Sequence, residues 1–201
     1  MTKSTVSGSD VDRIRDSIAR AHELAAAQFR DTFVPGQTLP TAHLEILAAA
    51  LLEYAEGVRA LGAIHYQIDD DTIAPFVVPD QPLFRYFDVE KNPTAVFEYW
   101  LIVSEIIGST SWRMTTLIAT PEEYDISLRR MRSPQIVRAL VVSFLPSVEM
   151  RDDGSAFLEA TVYSRAGEER IERRLLLLDP FNEFHFHGRE LIAEGRGGVR
   201  T

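Results

Sequence analysis

The chain has 201 residues, 45% of them hydrophobic and 25% charged, with 30 acidic against 21 basic side chains and a net charge of −9. That mix belongs to an ordinary globular chain long enough to bury a real core, and it suggests neither a disordered nor a fibrous class. There is no cysteine, so disulfides, Cys-ligated zinc, iron–sulfur clusters and thiol nucleophiles are excluded as well.

Residues 1–8 read as a loose Ser/Thr/Gly tail. Ser9 and Asp12 resemble an N-cap with an acidic first turn, and Val11, Ile14, Ile18, Ala21, Ala25 and Phe29 then recur at helical spacing over 10–31. Val34-Pro35-Gly36 breaks the chain. A second helix is expected over 40–61, with Pro40 in its first turn and Gly62 as its C-terminal cap. Its apolar residues, among them Leu44, Ile46, Leu47, Leu51 and Leu52, cover more than one stripe, so it needs more than one neighbour. The short link makes the two helices an antiparallel pair, and a homodimer through helices 10–31 and 40–61 is one expected use of the surplus apolar surface.

Ile64, Tyr66 and Ile68 alternate with polar residues as a short strand. Asp69-Asp70-Asp71 reads as a solvated turn, because the spacing of a calcium loop is absent. Pro75, Pro79 and Pro82 argue against helix and against a central strand, and 83–89 reads as an edge strand. Residues 93–107 start at Asn92-Pro93 and stop at Gly108. As a helix they place Glu98 and Glu105 on one narrow strip; as a strand they place them on opposite faces. A largely buried helix is therefore expected, with a hairpin turning at 108–111 as the rival. Residues 112–119 read as a strand, and 121–131 as a helix capped by Thr120 with Pro121 and Glu122-Glu123 behind it.

Four apolar runs, 139–150, 155–164, 169–178 and 183–193, complete the chain. Short turn sequences separate them, with Gly154 and Gly167 able to take positive φ, so they read as a four-strand antiparallel meander. Pro146 requires a bulge or an edge in the first run. Residues 195–201 read as a flexible Gly/Arg tail. The expected class is α+β: an N-terminal helical pair plus a curved antiparallel sheet packed on helices, with 9–194 as one domain.

The acidic balance works against phosphate backbones and anionic membrane surfaces. The densest basic patch, Arg170, Arg173 and Arg174, is interleaved with Glu168, Glu169 and Glu172, and neither a nucleic-acid nor a membrane partner is expected. The start lacks an apolar signal core, and no apolar run approaches the ~18 residues of a membrane span, so a cytoplasmic setting is expected by default. Lys3 and Lys91 are the only lysines, and the Arg bias with abundant Ala points toward a bacterial coding sequence.

Candidate chemistry gathers at two places. Along the last run Glu183, His185, His187 and Arg189 alternate onto one face, with Phe184 and Phe186 on the other. Two imidazoles so spaced can face one metal, but the acidic spacing and later histidine of a cupin-type site are missing, and neither a metal nor a cofactor is expected. Glu98, on a buried helix, would be partly desolvated and could exchange protons with His185 or His187 if the sheet covers that helix. Tyr99, Trp100 and Trp112 are candidate pocket walls, with Glu183 and Arg189 as polar binding groups. No phosphate loop, nucleophile elbow or zincin motif occurs.

Two functional readings follow. One is a non-enzymatic assembly or adaptor protein that holds a protein partner through its helical pair and acidic surface. The alternative is a small-molecule-binding domain or cofactor-free enzyme, its pocket between the sheet and helix 93–107, using Glu98, His185 and His187. The direction in which the two histidines point separates these readings.

Overall fold

In the computed structural model, which describes residues 3–32, 40–69, 72–76, 83–108, 115–138, 143–165 and 169–195, the chain starts with a strand where a tail is expected. This strand, β1 (Lys3–Thr5), pairs antiparallel with β8 (Ser147–Met150), and Lys3 Nζ lies 2.6 Å from the Glu159 carboxylate. Helix α1 (Gly8–Thr32) begins ahead of Ser9 because Ser7 is the cap: its hydroxyl accepts the Asp10 N–H at 3.1 Å. Val11, Ile14, Ala21 and Ala25 are buried along the expected stripe.

Helix α2 (Pro40–Glu53) is shorter than the expected 40–61. The N–H groups of Glu56 and Gly57 bond to the Glu98 carboxylate instead of to carbonyls of a continuing helix. The chain then runs extended as β2 (Val58–Ala60), which pairs with β5 (Phe87–Val89). Position 57 has no room for a side chain, since a Cβ would sit 2.5 Å from the Cβ of Ala95. The broad apolar arc of α2 packs on α1, on β2, on β3 (His65–Asp69) and on α3 (Pro93–Gly108), so neighbours within the chain account for its width.

Strand β3 forms a two-stranded antiparallel sheet with β4 (Thr72–Phe76), where Pro75 is tolerated opposite Tyr66. The expected edge strand over 83–89 is divided into a 3-10 turn, Leu83–Tyr86, and β5. Helix α3 spans the segment expected to be helical, in place of the rival hairpin. Asn92 caps it by accepting the Ala95 N–H at 2.8 Å, and every side chain from Ala95 to Val103 is buried. After β6 (Thr115–Ile118), helix α4 (Pro121–Arg130) carries the expected Thr120 cap, completed by Glu123 into a capping box. Glu123 also meets Arg15 at 2.6 Å and so ties α4 to α1.

Strands β7 (Pro134–Ile136), β9 (Ala156–Ser164), β10 (Arg170–Leu178) and β11 (Phe184–Gly195) complete a curled, half-barrel sheet in the order β1-β8-β9-β10-β11-β7. One edge of β9 carries β10. The other is shared between β8, opposite 156–159, and β6, opposite 161–164. The expected meander is thus present as β8 to β11, extended by β1, β6 and β7. Its first strand starts only at Ser147, directly after Pro146; residues 139–142, Trp112, Gly167 and 196–201 lie outside the described residues. Gly154, at φ 83°, makes the β8–β9 turn.

Alternation along β9 sends Ala156, Leu158, Ala160 and Val162 into the main core under α1, α2 and α3. Tyr163 turns the other way, into a second cluster with Ile118, Ile171 and Ile192 against Leu128 of α4. No helix among the described residues is long and apolar enough to cross a membrane.

Candidate ligand-binding cavity

Helical spacing puts Trp100, Val103, Ser104 and Ile107 of α3 on one face at steps of three and four. That face does not meet the sheet tightly. Opposite it stand Arg174 and Leu176 of β10, and Phe184 and Phe186 of β11. Between the two walls lies a cavity of about 690 Å3 that opens to solvent. Phe186 pairs across the sheet with Leu176 and keeps 61% of its surface exposed, a large uncovered aromatic inside a concavity.

The opposite end of the cavity is polar. Thr115 and Thr116 of β6, Tyr163 and Arg165 at the end of β9, and Arg130 at the end of α4 line it. Arg165 donates to the Tyr163 hydroxyl at 3.2 Å. On the α1 side His22 and Glu105 meet at 3.1 Å, and the hydrogen bond to Glu105, opposed by burial, raises the imidazole pKa above its ordinary value.

The bulk of the polar chemistry at this sheet comes from β10. Glu172 is 4% exposed, and its oxygens lie 2.7 Å from Arg174 Nε and 3.7 Å from an Arg189 terminal nitrogen. Alternation separates Arg173 from this group and sends it to the other face, 3.0 Å from Glu159. The basic patch read along the sequence is therefore two patches on two faces.

The sequence-derived candidates are distributed differently from expectation. Glu98, 2% exposed, accepts from Gly57 N–H at 2.7 Å and from Glu56 N–H at 3.2 Å, with Arg13 at 3.8 Å. It holds the α2–β2 junction and does not reach the cavity. Tyr99 is fully buried beside it, stacks on Phe184 at 5.3 Å and donates its hydroxyl to the Asn182 carbonyl at 2.8 Å. Burial pushes the Tyr99 hydroxyl above the usual phenol range, reinforced by the Asp179 and Glu183 carboxylates, so it stays a donor. Trp100 is in the cavity wall, as expected, and Trp112 lies outside the described residues.

His185 and His187 point to the outer side of the sheet. His185 Nε2 is 3.1 Å from Asp179, with its side chain 48% exposed, and the His187 ring sits 5.1 Å from that of Phe157. Arg189 does not share their face. Leu175 pairs with Gly188 and Leu176 with Phe186, so His187 is an extra, bulged residue, and the alternation resumes with Arg189 on the side of Phe186. Glu98 and the two histidines therefore form no couple.

Glu183 closes a cluster with Asp179 and His185 whose ligand atoms lie within 4.8 Å of one another. Asp179 is already engaged there. Its Oδ1 accepts the Phe181 and Glu183 N–H groups at 2.8 and 2.9 Å, and Asn182 at φ 65° completes the turn. Burial raises the Asp179 pKa, but the Glu183 N–H, His185 and the Phe181 N–H outweigh it and hold the carboxyl below its ordinary value. The turn is anchored to β5 and α3, because Asn182 also donates to the Phe87 carbonyl at 2.8 Å.

Arg174, Ser104 and Arg165 are cavity residues that sequence reasoning missed. Their signals were present: the steps from Trp100 to Ile107 along α3, and the shared face of Glu172, Arg174 and Leu176 along β10. Comparison with protein-family models, with curated proteins and with solved structures gives no match.

Proposed function

We propose that this chain binds a small organic molecule with a large apolar part in the cavity between α3 and the sheet. The observation that carries this reading is the cavity itself. At about 690 Å3 it falls inside the range of roughly 300–1,000 Å3 usual for small-molecule sites, and aromatic side chains wall it. Water gains little by filling a space bounded by Trp100, Leu176 and Phe186, so an apolar occupant is favoured by the surface it would cover.

A binding role fits better than a catalytic one, because the expected proton-transfer groups stand apart: Glu98 bonds to backbone N–H groups, and His185 and His187 face outward. The assembly reading has less to stand on, since α2 spends its apolar arc on neighbours within the chain. The test is a fluorescence titration with the neutral dye N-phenyl-naphthylamine. Saturable enhancement at one site is expected, lost in Ser104→Phe while the urea midpoint is retained. A folded wild-type chain that gives no saturable signal removes the reading.

A further inference from the structure

We infer that the natural occupant is an organic anion, a carboxylate on an apolar alkyl or aryl body, with its head on the guanidinium of Arg174 and Arg130 and Arg165 drawing it in. This rests on the cavity being a ligand site. The first observation is charge. The chain as a whole carries −9, yet the cavity lining holds three arginines, Arg130, Arg165 and Arg174, against one carboxylate, Glu105, which is already paired with His22. A positive concavity in a negative protein concentrates anions and repels cations.

The second observation is how those arginines are satisfied. Arg130 has no carboxylate partner among the described residues, and Arg165 bonds to the Tyr163 hydroxyl, which itself donates to Glu169 at 3.1 Å. Arg174 is held through its Nε by buried Glu172, which is also shared with Arg189; one carboxylate thus serves two guanidiniums and leaves positive charge in surplus. Holding Arg174 at Nε fixes its plane while its terminal N–H donors remain for a ligand. That planar edge matches the two oxygens of a carboxylate.

The third observation is segregation. Arg174 and Leu176 share one wall of β10, and Leu176 faces Phe186 across the sheet pair. Charge and apolar surface adjoin along a single strand, so one molecule can engage both only if it is itself divided into head and body. A neutral apolar ligand would leave the guanidiniums unanswered, and a small inorganic anion would leave the aromatic wall bare.

The experiment is displacement of N-phenyl-naphthylamine from the full chain by dodecanoate, dodecanol and dodecylammonium, each below its micelle concentration. Dodecanoate is expected to bind about tenfold or more tighter than dodecanol, as a charge-assisted hydrogen bond implies, with dodecylammonium weakest. The ratio should shrink as salt rises. Arg174→Gln should bring dodecanoate close to dodecanol. The double variant Arg130→Gln with Arg165→Gln changes only exposed side chains and should narrow the dodecanoate-to-dodecanol ratio; it decides the matter if Arg174→Gln does not fold. Equal binding of dodecanoate and dodecanol, or a ratio untouched in the folded variants, overturns the anion. A chain that binds no dye overturns the cavity reading and this inference together, whereas dye binding without a preference for dodecanoate overturns this inference alone.

Discussion

The two ends of α3 meet opposite demands. Its N-terminal half is packed without slack: Ala95 touches the backbone at Gly57, Glu98 takes N–H groups from two residues, and Tyr99 gives its hydroxyl to Asn182. About two turns further on, Val103, Ser104 and Ile107 border open volume, and Glu105 pairs with a half-exposed His22. The helix is a bolt at one end and a wall at the other. Two glutamates on one buried helix therefore differ in kind. Glu98 is structural because buried backbone N–H groups use it, whereas Glu105 holds only a half-exposed histidine at the cavity rim.

Removing the two carboxylates should have very unequal effects. Glu98→Ala leaves the Glu56 and Gly57 N–H groups without their acceptor and should destabilise the chain by about 3 kcal/mol in urea unfolding. Glu105→Ala, losing an exposed pair, should cost less than about 1 kcal/mol. Equal losses would erase the distinction. Added volume gives the next test. Gly57→Ala introduces one carbon where none fits and should cost about 2 kcal/mol. Ser104→Leu adds more atoms but into the cavity, and should stay within about 0.5 kcal/mol of wild type.

Smaller effects refine the picture. Tyr99→Phe removes one hydrogen bond to Asn182 and should cost about 1 kcal/mol, with the dye still bound. The pH response should separate two charged pairs. The His22 pKa is raised by its bond to Glu105, so its contribution is full below the ordinary histidine value and fades as pH rises through the raised one. Glu123 behaves in the reverse sense. Burial lifts its carboxyl, but Arg15 and the Ala119 and Thr120 N–H groups outweigh that and pull it down. Its contribution is present above the ordinary glutamate value and is lost as pH falls through the depressed one. NMR titration of His22 in Glu105→Gln should return the imidazole toward ~6.5. An unmoved value would show that Glu105 is not the cause.

The elements legible in the sequence are those with local signals. Asn92-Pro93 starts α3, Thr120 and Glu123 start α4, and the alternation with Gly154 between runs gives the β8–β9 hairpin. The α+β class followed from these. What failed depended on distant partners. The end of α2 is set by Glu98, 41 positions from Gly57, and nothing within 40–61 announces it. Strands β1 and β7 are three residues each, too short for a period to show. In β11 one bulged residue, His187, undid a face assignment that strict alternation had made, moving Arg189 to the inner side. Trp100 and the location of a cavity beside α3 were within reach of sequence reasoning. Arg174 is legible in the same way, since strand alternation puts it on one face with Glu172 and Leu176 and sends its neighbour Arg173 to the opposite surface.

The pairing of β1 with β8 has a consequence for how the chain comes to be folded. Lys3 waits for Glu159, 156 positions later, so β1 is made long before it can be placed. At a synthesis rate of roughly 5–20 residues per second, the N-terminal segment spends on the order of 10 s without its neighbour. Helices α1 and α2 can pair early from local contacts, while β1 can only close the sheet edge at the end. Truncating the first five residues should therefore act mainly on the rate of unfolding, as the loss of a latch fastened late, and leave the rate of folding almost unchanged.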